Sequence, residues 1–150
     1  PVLSQVGFRV VLYDDRPQAA VLEQFPQAVR IVLGDYRHIF DHITITDRDY
    51  VVIMTNGHEH DFQAEVQVLR GETAYVGVIG SRKKTAFVNQ RLREAGIPEE
   101  KIAFVHTPVG TPIKAVTPEE IAVSIAGEMI CVRAARREAA GEVHHGCPMH

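Results

Sequence analysis

The chain contains 150 residues, of which 45% are hydrophobic and 23% are charged. This composition is typical of a globular protein with a hydrophobic core and excludes an intrinsically disordered chain. The formal net charge of -3 provides no general attraction for nucleic acid. No apolar run approaches the roughly 20 residues of a membrane-spanning helix, so we expect neither a nucleic-acid nor a membrane partner.

The two cysteines, Cys131 and Cys147, form no CxxC pair and no disulfide framework. The first residues do not resemble a signal peptide, and free thiols are typical of a reducing compartment. We therefore expect a cytoplasmic protein.

Four apolar runs predict strands of a parallel sheet, because strands buried on both faces are nearly continuous in apolar residues. They cover residues 8–13, 28–33, 50–54 and 74–79. The sequence also predicts a helix from about residue 61 to residue 70, a helix that follows Gly80 and ends near Ala95, and a short strand at 102–105.

The last predicted helix has the clearest start. Thr117 is followed by Pro118 and, three residues after Thr117, by Glu120, which is the pattern of an N-cap, a first-turn proline and a reciprocal capping glutamate. Beyond Ala140 the sequence shows no hydrophobic periodicity. We therefore expect one domain over residues 1–138 and a flexible tail over residues 139–150.

Strands that alternate with helices predict an α/β fold with a doubly wound, Rossmann-like parallel sheet in a single domain. Ligands of such folds bind in the crevice outside the carboxyl ends of the strands. However, a GxGxxG turn normally precedes the second strand, and only thirteen residues precede Asp14. We therefore expect an N-terminally truncated domain that lacks the first strand and its glycine-rich turn.

The turn after the fourth predicted strand has the features of an anion site. Gly80 ends the strand, Ser81 is a candidate N-cap, and Arg82 and Lys83 add positive charge to the start of the next helix. A phosphate-bearing ligand would suit this arrangement. The alternative is that Ser81 only caps a surface helix whose cations are solvated.

Asp14 stands where dinucleotide-binding proteins carry the acid that accepts the ribose hydroxyls, a contact that favours NAD over NADP. Nearby, Arg16 could contact a phosphate. The alternative is that Asp14 only forms a turn.

Two further loops follow predicted strands. His58 and Asp61 belong to a polar segment that could line the crevice, ligate a metal or move a proton, although Asp61 is better explained as an N-cap. His106 and Thr107 open a proline-stiffened loop that could press against a ligand or simply connect two elements.

Five segments, at 7–17, 50–61, 75–83, 106–110 and 117–125, occur together in an order and spacing that are specific. On these segments the chain resembles the C-terminal Rossmann domain of the XdhC/CoxI family, the accessory factors for xanthine dehydrogenase and related molybdenum hydroxylases. The resemblance covers residues 7 to 133.

The resemblance implies a protein that binds molybdenum cofactor and helps to insert it into an apo-hydroxylase, with a cysteine desulfurase as a further partner. It implies a carrier or assembly chaperone rather than a dehydrogenase, and we also expect a homodimer. We place the cofactor-binding site at the residues named above: Asp14, Arg16, His58, Asp61, Gly80, Ser81, Arg82, Lys83, His106 and Thr107. The alternatives are an NAD-dependent oxidoreductase of the same fold and a non-catalytic interaction module, since fold alone does not choose among them.

Overall fold

The computed structural model describes residues 1–19 and 22–142. It contains two compact units, one over Pro1–Val109 and one that begins at Gly110. The predicted tail lies partly outside the described residues, because residues 143–150, which include Cys147, are not among them. Cys131 is a free, exposed cysteine.

The first unit contains two pairs of parallel strands. Strand β1 (Val11–Asp14) pairs with β2 (Arg30–Leu33), and β3 (Tyr50–Ile53) pairs with β4 (Tyr75–Val78). In addition, His106 forms an isolated parallel bridge with Gly77 of β4. The four predicted strands and their parallel direction are therefore confirmed.

The two pairs form separate sheets within the part of the chain that the structure describes. In a doubly wound sheet of order 3-2-1-4, the first strand stands between the second and the fourth. The two observed pairs match the strands that flank this first strand of the general fold. The pair β2–β1 corresponds to one side, and the pair β3–β4 corresponds to the other.

Five α-helices accompany the strands. They are α1 (Val2–Gln5), α2 (His58–Leu69), α3 (Arg82–Glu94), α4 (Glu99–Phe104) and α5 (Pro118–Ala139) among the described residues. Short 3₁₀ helices at Pro17–Ala19, Leu22–Gln24 and Tyr36–Asp41 complete the first unit. No helix in the described ranges is long and apolar enough to cross a membrane.

Two predictions of local structure are wrong. The strand expected at residues 102–105 is the helix α4, which starts after Pro98 with Glu99 and Glu100 in its first turn, a favourable pattern at the positive end of a helix. Helix α2 begins at His58 after Gly57, so Asp61 lies inside the helix rather than at its N-cap.

The core of the first unit lies where α2 and α3 pack over β3 and β4. Within β4 every residue is buried, and Tyr75 and Val76 have no exposed surface. Val68 of α2 and Leu92 of α3 are the main apolar contributions from the two helices. This packing fixes the two helix starts beside the carboxyl ends of β3 and β4.

The second unit contains α5, and its start follows the predicted capping box. The Thr117 hydroxyl accepts a hydrogen bond from the Glu120 backbone N–H at 3.1 Å. The Glu120 carboxylate accepts in return from the N–H groups of Thr117 and Val116 at 2.9 and 2.6 Å. These backbone donors hold the pKa of Glu120 below its ordinary value.

Thr117→Ala tests the cap. The substitution removes the side-chain acceptor for the Glu120 N–H, so we expect the free energy of unfolding to fall by about 1 kcal/mol in urea titrations. Thr44→Ala is a matched control, because Thr44 is exposed and lies outside the helices. Equal effects of the two substitutions would contradict a stabilising role for the cap.

Candidate functional site

A narrow pocket opens at the carboxyl end of β4, between α2 and α3. The space that it offers to water-sized groups is about 20 Å³, enough for about one water molecule. Its walls come from one face of α2, one face of α3 and the two loops after the strands. The lining residues are His58, Asp61, Glu65, Val78, Ile79, Gly80, Lys84, Thr85, Val88, Asn89 and Thr107.

The first turn of α3 forms one edge of this pocket. Ser81 caps the helix, since its hydroxyl accepts from the Lys84 N–H at 3.4 Å. The N–H groups of Arg82 and Lys83 have no partner within the helix, and they lie at its positive end. Among the described residues, no ion pair ties the side chains of Arg82, Lys83 or Lys84 to a carboxylate. This turn can therefore receive an anion.

Gly80 leaves the backbone open at the same edge. A Cβ built on Gly80 would meet no atom within 4 Å, so the space beside its backbone is free. A ligand can approach the main chain there more closely than it could beside a larger residue.

The hydroxyls of Thr85 and Thr107 lie 3.0 Å apart and share a hydrogen bond. The Thr85 hydroxyl is also within 3.0 Å of the Ser81 carbonyl, to which it donates. These contacts connect the loop after α4 to the first turn of α3, so Thr107 is held against the pocket wall.

Asp61 is buried and stabilises the loop between β3 and α2. Its Oδ1 accepts from the Thr55 N–H at 3.0 Å and from the Thr55 hydroxyl at 2.6 Å. This explains why the residue lies inside the helix and not at the N-cap, since its carboxylate reaches back to the loop.

Glu65 lies one further turn along the same face of α2. Only 1% of its surface is exposed, and its Oε2 has no hydrogen-bond partner among the described residues. Burial, followed by the nearby Asp61 carboxylate, raises the pKa of Glu65 to about 7. The pocket thus contains a carboxyl group that lacks the donor an ionised acid requires.

His106 occupies a different position. Its backbone bonds to β4, with its N–H donating to the Val76 carbonyl at 2.8 Å and its carbonyl accepting from the Val78 N–H at 3.0 Å. Its ring stacks on Tyr75 with a centroid separation of 4.7 Å. His106 therefore extends the strand pairing and is not among the pocket's lining residues.

Asp14 and Arg16 lie at the end of β1 and pair with each other. The Arg16 guanidinium donates to both Asp14 oxygens, at 3.0 and 2.9 Å, and holds the pKa of Asp14 below its ordinary value. A wider, open depression nearby is lined by Asp15, Asp35 and His60 among others, and has a volume of about 590 Å³.

The structure therefore distributes the ten predicted site residues over three places. His58, Asp61, Gly80 and Thr107 line the pocket, whereas Ser81, Arg82 and Lys83 form the helix start at its edge. Asp14 and Arg16 pair at β1, and His106 stacks on Tyr75.

Glu65, Thr85 and Asn89 also line the pocket, although none of the sequence patterns described above marks them. One signal could have identified Glu65. His58, Asp61 and Glu65 are spaced by three and four residues, which places them on one face of a helix.

A family model described as the XdhC Rossmann domain matches residues 1–129. The chain belongs to this family. The match confirms the resemblance and the Rossmann-like fold on which the interpretation of the two strand pairs depends.

Several relatives of this domain are longer proteins. The chain is 31% identical over 129 residues to the uncharacterized protein YqeB of Escherichia coli K12, covering 85% of this chain and 24% of that protein. It is 30% identical over 131 residues to a probable xanthine dehydrogenase subunit of Bacillus subtilis strain 168, covering 87% and 37% respectively.

A solved structure is also similar. It is described as a xanthine dehydrogenase from Bacillus halodurans and superposes with a TM-score of 0.79 at 31% identity. The match covers 92% of this chain and 39% of that one. This XdhC-type chain therefore spans about a quarter to two fifths of the proteins that it matches.

Glu65 predicts a specific pH dependence of stability. Because its pKa is raised, the folded protein keeps a proton that the unfolded chain has released between about pH 4.5 and pH 7. The associated stability is complete below that range and is lost as the pH rises through it. Relative to the unmodified chain, the stability of Glu65→Gln should therefore rise with pH, by about 3 kcal/mol between about pH 4.5 and pH 7, since one pKa unit corresponds to about 1.4 kcal/mol.

Urea unfolding across this pH range measures the effect. Glu100→Gln is the control, because it removes a carboxyl from the exposed surface of α4. A stability difference between Glu65→Gln and the unmodified chain that does not change with pH would contradict the assignment.

Proposed function

We propose that this XdhC Rossmann domain binds molybdenum cofactor and helps to insert it into a molybdenum hydroxylase of the xanthine dehydrogenase type. The observation that carries the proposal is the helix start at Ser81–Lys83, which borders a pocket; there, two cations form no ion pair with any described residue, and the first N–H groups of the helix are free. Membership of the family and a relative named as a probable xanthine dehydrogenase component support the choice of cofactor and client.

The residues present fit a phosphate-bearing ligand. The Arg82 and Lys83 side chains supply charge, the helix start supplies N–H donors, and Gly80 leaves room for close approach to the backbone. His58 and Thr107 would border the rest of the ligand. In this proposal the chain's residues bind, orient and shield the cofactor, while the bound group supplies its redox chemistry only in the client enzyme.

Transfer to a client requires further partners. We propose that an apo-hydroxylase receives the cofactor, that a cysteine desulfurase supplies its terminal sulfur, and that the carrier acts as a homodimer. The family supports the choice of these partners. The proposal concerns the whole protein, because the matched relatives contain much more than this domain.

Replacing Arg82 and Lys83 together by alanine tests the phosphate contact. If both side chains hydrogen-bond to the phosphate, affinity for molybdenum cofactor should fall at least about 100-fold, because two hydrogen bonds to a charged group, at about 1.5–3 kcal/mol each, together contribute about 3 kcal/mol or more. Calorimetric titration with cofactor released from a donor hydroxylase measures this.

The control is the double variant Arg9→Ala and Arg48→Ala, which removes the same charge from exposed positions elsewhere on the first unit. Unaltered affinity in the Arg82 and Lys83 variant, or an equal loss in the control, would remove these residues from the site.

NAD binding is the alternative hypothesis, and substitution of Asp14 tests it. A ribose would have to compete with Arg16 for the Asp14 carboxylate, which already accepts two hydrogen bonds from the guanidinium. We therefore expect Asp14→Ala to change cofactor affinity by less than about twofold, because Asp14 does not line the pocket and is already paired with Arg16. Tight NAD binding that Asp14→Ala abolishes, measured by fluorescence titration, would instead favour the oxidoreductase.

A further inference from the structure

Glu65 is a buried acid in the wall of the pocket. Only 1% of its surface is exposed, and its Oε2 has no hydrogen-bond partner among the described residues. An ionised carboxylate without a donor is unfavourable in such a place. The neutral carboxyl group is therefore the favoured form, and its O–H is a hydrogen-bond donor.

This acid shares a small space with the first turn of α3. Gly80, Lys84 and Thr85 line the same pocket as Glu65, and the free space of about 20 Å³ holds about one water molecule. Groups on opposite walls of a space of this size lie within roughly 10 Å of each other. An anion that rests against Gly80 therefore interacts with the charge of Glu65, because buried charges are screened much less than exposed ones.

Glu65 can exchange its proton near neutral pH. Burial, followed by the Asp61 carboxylate, raises the pKa of Glu65 to about 7. A bound anion disfavours the ionised acid further, so the complex holds this proton more strongly than the free protein does. Because the coupling is reciprocal, protonation of Glu65 strengthens binding of the anion by the same factor.

The other charged or titratable side chains that line this space are His58 and Asp61 of α2 and Lys84 of α3. The described residues of β4 and the loops, at 78–80 and Thr107, carry no charge. The strand β3 and the 3₁₀ helix before it also pack on α2, but none of their described residues belongs to the pocket wall. Histidine can take up a proton as well, so the test must separate His58 from Glu65.

We propose that Glu65 makes the anion site responsive to pH: an oxyanion binds at the start of α3 while Glu65 takes up one proton from solvent. The neutral acid then donates a hydrogen bond into the pocket, and ionisation of Glu65 favours release of the anion. This inference rests on the anion site of the proposed function. It adds the residue that couples binding at that site to protons.

Sulfate is the probe, because it has no titrating proton between pH 6 and pH 8. Calorimetric titration of the full chain measures its affinity. If bound sulfate makes Glu65 a tenfold weaker acid, the affinity should fall about fivefold from pH 6 to pH 8. Near pH 7.5, about half a proton should be taken up per sulfate, which titrations in two buffers of different ionisation enthalpy measure.

Glu65→Gln carries an amide that imitates the neutral acid, so at pH 8 it should keep the affinity that it has at pH 6. Glu59→Gln is the matched control, since Glu59 lies on the same helix, pairs with Arg91 and does not line the pocket. It should retain the fivefold fall, and so should His58→Gln. Loss of the fall in His58→Gln but not in Glu65→Gln would assign the proton to His58 and refute the inference.

The remaining outcomes separate this inference from the proposed function. If Arg82→Ala with Lys83→Ala weakens sulfate binding, but the unmodified chain and Glu65→Gln show the same pH dependence, the role of Glu65 is refuted and the anion site stands. Absence of proton uptake by the unmodified chain refutes the role of Glu65 without any variant. Failure of sulfate to bind at pH 6 refutes the anion site and this inference together.

Discussion

Strand β4 is the constraint on which the site depends. It is buried along its whole length and is paired on both sides, with β3 on one edge and His106 on the other. Gly77 is required there because a Cβ at this position would collide with Val109 and with the Tyr75 ring. With β4 fixed, the chain must leave the sheet at Gly80, and α3 starts where its free N–H groups face the crevice.

The same constraint places several polar side chains in a pocket wall that also contains Val78, Ile79 and Val88. Apolar side chains of α2 and α3, such as Val68 and Leu92, pack towards the sheet and form the core. Residues nearer the helix starts face the gap between the helices instead, and there the chain places Asp61, Thr85 and Glu65. Asp61 accepts two hydrogen bonds from Thr55, whereas Oε2 of Glu65 has no hydrogen-bond partner among the described residues.

Much of the fold followed from sequence patterns because each pattern had a local cause. Apolar runs marked all four strands, and the capping box marked the start of α5 to the residue. The helix α4 was missed because residues 102–105 are all apolar, and a short apolar run does not distinguish a strand from a helix. Asp61 was misplaced because its partner, Thr55, lies before the helix.

The predicted site residues are only partly brought together by the structure. Polar residues after strands pointed to the carboxyl edge, and four of them line the pocket. Asp14 and Arg16 could not be separated from that group by sequence, because their mutual pairing depends on side-chain geometry. Glu65 carried no loop or turn signal, and its importance appears only when burial and the missing partner are known.

The central claim is that the start of α3 holds the phosphate of the cofactor. Backbone amide chemical shifts of the ¹⁵N-labelled chain, followed while a phosphate-bearing pterin is titrated, test this most directly. The account predicts that the largest shifts occur at Gly80–Thr85 and that they saturate at one ligand per chain. Largest shifts at Asp14–Arg16, or small shifts spread over many surface cations, would contradict it.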